Sequence, residues 1–550
     1  MEVDALLEAL GRPGRYSLAL YLLLCTNYAM VSISHFTMVI YTAPVPYHCA
    51  APERPEVSEH RNNTTAAALD SCSVYSNASS GGDGPVRCEA GWTYDAKTGE
   101  RNILMEFDLV CDREYLNYLA TTIYFLGVML GGLTFGPLAE TYGRRPVLLG
   151  SLVAAVGSSV VLTLSHTYVS FVLIRLANGF FLQGVYGTTF VLVMEQSPPG
   201  LRTYAGTFIE LFWAAGIMVL AVVSYLLPDW RLTQLAVTMP SVLIVVGTWF
   251  VPESLRWLVM HRKYNQAEKV LRTAARCNGT DLPKALFLDC RDDGALACNE
   301  PGRNVRSYTD DLPALKAKEI ESNEKSVHTK DTGCDQQKCT ALDMFRTPKL
   351  RRWSCVFAFN WFTVSVVLYG LSSMITTMQG NKYVILFLCG AAEVPTNVMS
   401  AFIFQRFGRK IPLCVFMLVA GLCSTAGAFL PHSQDIGWME TTLALVSRTC
   451  TMMCFTVLNI YTCEVFPTII RNTSVGVCAF FTRFGGVVSP QVILLGATSF
   501  VKFPLLVFGA LSLLGGLLTL SLPETLNQNL PDTIEQAEAM TSVHPGSKLP

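Results

Sequence analysis

Long, nearly uncharged apolar runs recur from end to end of this 550-residue chain, and no other feature limits its fold as tightly. A helix needs about 20 such residues to cross the hydrocarbon core of a bilayer. Twelve runs of that order can be marked, at 16–40, 116–138, 147–164, 168–194, 204–227, 232–251, 353–374, 383–404, 411–430, 441–462, 473–495 and 503–522. Only 15% of the residues are charged, against about 25% in a soluble domain, so the lipid bilayer is the expected surroundings. The net charge of −1 gives nucleic acid no attraction. The first run is too long, and too weakly preceded by basic charge, for a cleaved leader, and is expected to be retained as a span.

The runs fall into two similar blocks. Between the second and third lies Gly136-Pro-Leu-Ala-Glu140-Thr-Tyr-Gly143-Arg144-Arg145, and between the eighth and ninth a shorter copy, Gln405-Arg406-Phe-Gly408-Arg409-Lys410. Glu195 precedes Arg202 by seven residues, as Glu464 precedes Arg471. Pro252-Glu253-Ser254 closes the first block and Pro523-Glu524-Thr525 the second. Three matches in one order indicate an internal duplication. The expected fold is therefore all-α and membrane-spanning, twelve helices in two pseudo-symmetric six-helix bundles. The expected units are an N-terminus (1–15), a first bundle (16–251) with a long loop at 43–113, a linker (252–352), a second bundle (353–522) and a tail (523–550).

Lys and Arg in short loops set orientation. The loops with Arg144, Arg145, Arg202, Arg406, Arg409, Lys410 and Arg471 fall on one side, whereas the opposite short loops hold Arg231, Lys382 and Lys502 singly. Both termini and the linker are thus expected in the cytoplasm. The 43–113 loop is expected outside, where its sequons at Asn62, Asn63 and Asn77 are glycosylatable. Cys49, Cys72, Cys88 and Cys111 in the same loop are expected to form up to two disulfides, with all three pairings open. In the linker, Cys334 and Cys339 are wrongly spaced for a zinc ribbon, and no metal is expected.

A charge at a helix centre costs about 2.5–3.5 kcal/mol on insertion scales, so ionisable groups inside the runs mark either function or ion pairing. They are Arg175, Glu210, Glu393, Arg448 and Arg483. Glu195 and Glu464, at run ends, are expected to pair with Arg144, Arg145, Arg202, Arg409 and Arg471 as a gate, with Glu140 in the same loop motif and Arg175 joining it. Arg483 stands apart. Spacings of three and four set it on one helix face with Gly476, Phe480, Val487 and Pro490, beside a bendable Gly485-Gly486, so it is expected to line a central cavity. Arg448 and Glu393 are candidates for either substrate contact or mutual support. Glu210 is a candidate cation or proton site, or the partner of an arginine. Organic cations rest on aromatic faces, which makes Tyr186, Trp213, Trp361, Tyr369 and Phe480 substrate-binding candidates; each can instead face lipid or a neighbouring helix. The chain contains no Gly-rich nucleotide loop, nucleophile triad or metal-ligand cluster, so neither an enzyme nor a cofactor is expected.

The Gly136–Arg145 motif, its copy at 405–410 and Pro252-Glu-Ser-Leu-Arg256-Trp257-Leu258 resemble the major facilitator superfamily. The long first loop ending Glu106-Phe-Asp-Leu-Val-Cys111-Asp, together with Asp229-Trp-Arg231 and Tyr461-Thr-Cys-Glu464-Val-Phe-Pro467-Thr-Ile-Ile-Arg471, resembles its organic cation/anion/carnitine transporter family. That resemblance implies a multi-pass plasma-membrane transporter of amphiphilic organic ions, with a central site open alternately to each side. In the family's cation branch the position matching Arg483 is typically aspartate, whereas anion and carnitine members carry arginine. The basic residue that anion members place after the helix 8 proline is absent, since Thr396 and Asn397 follow Pro395. Leu530-Pro-Asp-Thr-Ile-Glu is also more like the carnitine branch, and Arg448 matches the family's base in helix 10. Glu140-Thr141 replaces the usual Asp-Arg pair, and Leu368-Tyr369 a Tyr-Tyr pair. The expectation is transport of carnitine-like zwitterions or organic cations, with organic anions as the alternative. A non-transporting receptor or scaffold on the same fold is the rival of another class. Coupling to sodium or protons stays open.

Overall fold

The structure, a computed structural model, describes residues 14–50, 72–75, 85–88, 91–96, 99–198, 201–279, 344, 346–374, 378, 380–431, 437–498, 500, 502–526, 531 and 534–539. The predicted glycosylation positions Asn62, Asn63 and Asn77, and Cys334 and Cys339, lie outside these.

Twelve long helices carry the apolar runs. They are α1 (Arg15–Tyr41), α2 (Tyr115–Tyr142), α3 (Arg144–Thr163), α4 (Tyr168–Gln196), α5 (Arg202–Leu226), α6 (Trp230–Thr248), α7 (Pro348–Met374), α8 (Lys382–Phe407), α9 (Lys410–Phe429), α10 (Gly437–Val465), α11 (Thr468–Thr498) and α12 (Phe503–Thr519). Eleven contain spans long and apolar enough to cross a bilayer. At 17 residues, α12 sits at the short end of the spanning range. Polar caps mark where helices start. Thr167 and Ser170 form a capping box on α4, Asp229 accepts the first N–H groups of α6, and Asn381 does so for α8. The linker's predicted helical stretch is the helix Tyr264–Asn278, preceded by Leu255–Met260.

The duplication is visible in the packing. α1 packs on α4, α5 and α6, α2 on α4, and α3 on α4 and α6. The second bundle repeats this six helices on, with α7 on α10, α11 and α12, α8 on α10, and α9 on α10 and α12. The bundles meet along α2 with α11 and along α5 with α8, which are again six-offset images. Lipid supplies no hydrophobic drive between spans, so small residues permit close contact. A Cβ on Gly131 of α2 would lie 2.4 Å from the Phe180 carbonyl of α4, and one on Gly179 of α4 2.4 Å from the Tyr124 carbonyl of α2.

Between α1 and α2, β1 (Tyr47–Cys49) pairs antiparallel with β4 (Trp92–Tyr94), and β2 (Ser73–Tyr75) with β3 (Pro85–Arg87). Of the three possible pairings, the structure forms Cys49–Cys88 and Cys72–Cys111. This end of the bundle is the strand-bearing end, and the opposite end carries the duplicated loop motifs.

Candidate functional site

At the motif end the repeated sequences build the same device twice. Between α2 and α3 the chain turns at Gly143 (φ +109°), and between α8 and α9 at Gly408 (φ +79°). The first N–H groups of α3, on Arg144 and Arg145, donate to the Glu253 carboxylate at 2.9–3.2 Å. Those of Arg409 and Lys410 donate to Glu524 at 3.0 and 3.2 Å. A carboxylate on a helix N-terminus satisfies orphan donors and meets the positive end of the helix dipole, which is what each Pro-Glu-Ser/Thr motif supplies. The freed arginine side chains reach the far end of the next helix: Arg144 pairs with Glu195 at 3.1 Å, and Arg409 with Glu464 at 2.8 Å. Arg202 and Arg471 hold backbone carbonyls at their own helix junctions, Met194 and Ser197 in one case and Phe466 in the other. Arg145 donates to the Trp249 carbonyl at 2.7 Å. Glu140 is exposed, and its carbonyl accepts the Trp257 indole N–H at 2.9 Å. Both ion pairs lie inside their own bundle.

Arg175 does not join this gate. It sits near the start of α4, at the strand-bearing end, donates to Thr37 at 3.2 Å and covers the Tyr124 ring at 4.2 Å.

A second cluster occupies the centre, where the bundles face each other. Tyr28 of α1 stacks on Tyr186 of α4 with centroids 4.8 Å apart, and Tyr186 meets Trp213 of α5 edge-on at 6.1 Å. His35 of α1 lies among Tyr124, Phe125, Trp213 and Tyr369, at 5.3–6.3 Å. Its Nδ1 is 3.0 Å from both the Val31 carbonyl and the Tyr124 hydroxyl. Tyr369 of α7 also packs on Phe125 at 4.5 Å, closing the cluster across the bundle interface. Arg483 of α11 reaches over to α2, where a Cβ on Gly132 would stand 2.9 Å from its Nε. Its Nη1 donates to the Ala479 carbonyl at 2.6 Å, its Nε is buried without an acceptor, and the neutral hydroxyls of Tyr28, Tyr186 and Tyr369 lie within its electrostatic reach. Glu210 of α5 is 8% exposed, and among the described residues no hydrogen bond or ion pair reaches its carboxylate. Tyr186 and Tyr369 lie within electrostatic reach of both Arg483 and Glu210.

The other intramembrane pair is closed on itself. Arg448 of α10 and Glu393 of α8 are 2.8 Å apart and almost wholly buried, with Arg448 also donating to Ser372 at 3.0 Å and lying 5.7 Å over the Phe36 ring. Trp361, expected among the binding residues, turns into the second bundle, where its N–H donates to Thr462 at 3.0 Å and its ring meets Phe455. Phe480 is exposed on α11 and packs with Phe481 and Phe484, not with the central rings. The residues that sequence reasoning missed are His35 and Tyr28. An imidazole in the middle of the first apolar run, in Ser32-Ile-Ser-His35, was the available signal for the former. A cleft of about 470 Å³ lies elsewhere, against Phe135, Leu138, Tyr142, Pro146, Val147 and Phe181, and offers an ion no charged partner.

Residues 114–490 match the family model of the Major Facilitator Superfamily. An "Organic cation transporter protein" of Drosophila melanogaster is 30% identical, with 98% of this chain and 95% of that one aligned. The chain belongs to solute carrier family 22, the organic ion transporters of the major facilitator superfamily. Solute carrier family 22 member 1 of Bos taurus is likewise 30% identical over 98% of this chain and 93% of its own. Member 6-A of Xenopus laevis is 29% identical over 98% and 94%. Among solved structures, the proton:xylose symporter XylE has a TM-score of 0.58 at 15% identity, covering 95% of this chain and 98% of its own, and attests the fold alone. As a family 22 member the chain is a multi-pass membrane transporter and not an enzyme.

Proposed function

We propose that the protein carries small organic ions, foremost carnitine-like zwitterions and organic cations, across the plasma membrane by alternating access. One observation carries this reading. A half-buried arginine without a carboxylate partner, Arg483, and a buried glutamate without a cationic one, Glu210, sit on opposite bundles with Tyr186 and Tyr369 in reach of both. Unpaired charges in a low-dielectric interior are costly, and a ligand with a carboxylate at one end and an ammonium at the other relieves both. Arg483 holds the carboxylate; Glu210 and the faces of Tyr28, Tyr186 and Trp213 hold the ammonium. Glu393 is already engaged by Arg448, so that pair positions α8 against α10. His35 and Tyr369 belong to the aromatic cluster between the bundles.

The motif end is cytoplasmic in this reading, as are the termini and residues 252–352, and the disulfide-bonded loop is outside. Its support is the excess of Lys and Arg in the short motif-end loops. The Arg144–Glu195 and Arg409–Glu464 pairs fix each bundle's inner end while the bundles rock. The test is uptake of labelled carnitine, a simple organic cation and a dicarboxylate by cells expressing the chain. Arg483→Ala should abolish uptake of carboxylate-bearing substrates at unchanged surface abundance, and Arg483→Asp should turn preference towards simple cations. Unchanged carnitine uptake in Arg483→Ala removes the arginine from the site, and no uptake of any ion by the surface-resident wild type favours a receptor.

A further inference from the structure

We infer that Glu210 is a proton-exchange site, at which an organic cation and a proton compete for one carboxylate, so that cation entry is coupled to proton exit. The inference rests on the assignment of Glu210 to the ammonium of the substrate and goes beyond it by naming the coupling ion.

The geometry supplies three reasons. First, the Glu210 carboxylate is enclosed, and among the described residues it has no counter-charge within ion-pair distance. A bare carboxylate in such a place is unstable and takes up either a cation or a proton. Second, the groups that face it offer no fixed positive charge. From α1 come Tyr21, with Cys25 beside it, and Tyr28; from α4 comes Tyr186; from α7, Tyr369; His35 of α1 meets α5 at Trp213. From α8 comes Glu393, whose charge is already balanced by Arg448 at 2.8 Å. α6 carries Arg231 at its strand-bearing end, where it is committed to Glu106. Arg483 stands across the tyrosines and is the anion's partner. Third, α5 lies on the α5–α8 seam between the bundles, so its environment changes when they rock. The exchange balances without another reactant: the Glu210 O–H bond breaks as the ammonium arrives, the proton leaves to cavity water, and the carboxylate keeps the cation by ion pairing. On return, proton uptake restores the empty carrier.

The test uses purified full-length protein in liposomes with a trapped pH dye. With tetraethylammonium as the probe, an acidic lumen should drive its accumulation, and its entry should alkalinise the lumen. Where protons occupy the site, apparent affinity for the cation should rise about tenfold per pH unit. Glu210→Gln should lose the luminal pH change and the pH dependence, while Glu210→Asp, which keeps the carboxylate, should retain both. Tetraethylammonium uptake that ignores the pH gradient, or a Glu210→Gln protein that still moves protons, overturns the inference and leaves the transport assignment standing. A wild-type protein that takes up neither tetraethylammonium nor carnitine overturns both.

Discussion

One added methyl group at Gly143 or Gly408 is enough to disturb the motif end. Both residues have positive φ, where a Cβ is strained, and the added atom would lie 2.5 Å from a Glu253 oxygen or 2.6 Å from the Glu524 carboxylate. Those carboxylates hold the first N–H groups of α3 and α9, so the methyl attacks strain and capping together. Gly143→Ala and Gly408→Ala should each destabilise the protein by about 1–3 kcal/mol, read as a lower thermal midpoint in detergent and reduced uptake. Equal stability in either variant would refute the capping role. Of the five arginines expected on Glu195 and Glu464, Arg144 and Arg409, which the duplication presents at matching places, form the ion pairs, whereas Arg145, Arg202 and Arg471 reach backbone carbonyls. Arg175 was not placed by the same logic, and a helical ruler explains why. It lies twenty residues before Glu195 on one helix, about 30 Å along the axis at 1.5 Å per residue, and therefore at the other end. Trp361 and Tyr369 share α7, whose buried residues surround most of the helix, so the sequence carries no signal of which ring turns inward to α10 and which crosses to Phe125.

At the scale of the element, the long loop is pinned to α6 by two motifs that look unrelated in the sequence. Glu106, at the end of the short helix Ile103–Glu106, accepts the Trp230 indole N–H at 2.7 Å and pairs with Arg231. Asn102 caps that helix and donates to the Ala43 carbonyl at 2.9 Å, which ties the loop to the end of α1 as well. The Asp229-Trp-Arg231 segment is thus the dock for Glu106-Phe-Asp. Burial by itself would raise the Glu106 carboxyl, but the Arg231 and Trp230 hydrogen bonds and the Arg231 charge outweigh it and hold it below its usual range. A depressed carboxyl contributes stability above its unfolded value, near 4.3, and loses that contribution as pH falls through the folded one. Docking should therefore be constant at neutral pH and weaken only in strong acid, seen as faster limited proteolysis of the loop. Glu106→Gln should cost about 1–2 kcal/mol at neutral pH and flatten that acid response. The disulfide pairing was illegible for a related reason. Both bridges span 39 residues, and nothing in that spacing, nor in the β2–β3 register that runs from Ser73 opposite Arg87, selects these pairs over the other two arrangements.

At the scale of the whole molecule, the six-offset packing makes the two seams equivalent in kind, but the strand-bearing end adds ties between the bundles that the duplication does not repeat. Glu100 of the long loop pairs with Lys382 at the start of α8, Tyr225 of α5 meets Tyr383 at 5.8 Å, and Gln491 of α11 donates to Thr122 of α2 at 2.7 Å. The loop belongs to the first bundle and Lys382 to the second, so a carrier that opens at this end must part that pair in every cycle. Both side chains are mostly buried, which makes the pair less screened by salt than a surface bridge. Reversing one charge, Glu100→Lys or Lys382→Glu, puts like charges together and biases the bundles apart at that end. Each single reversal should slow uptake several-fold and speed labelling of a cysteine introduced at Gln491 by an impermeant maleimide added on the strand-bearing side. Glu100→Lys combined with Lys382→Glu should restore both readings, because attraction across the seam returns with its sign exchanged. If the double reversal behaves as the sum of the singles, the pair is not a tie between bundles, and closure at that end rests on the helix contacts across the seams.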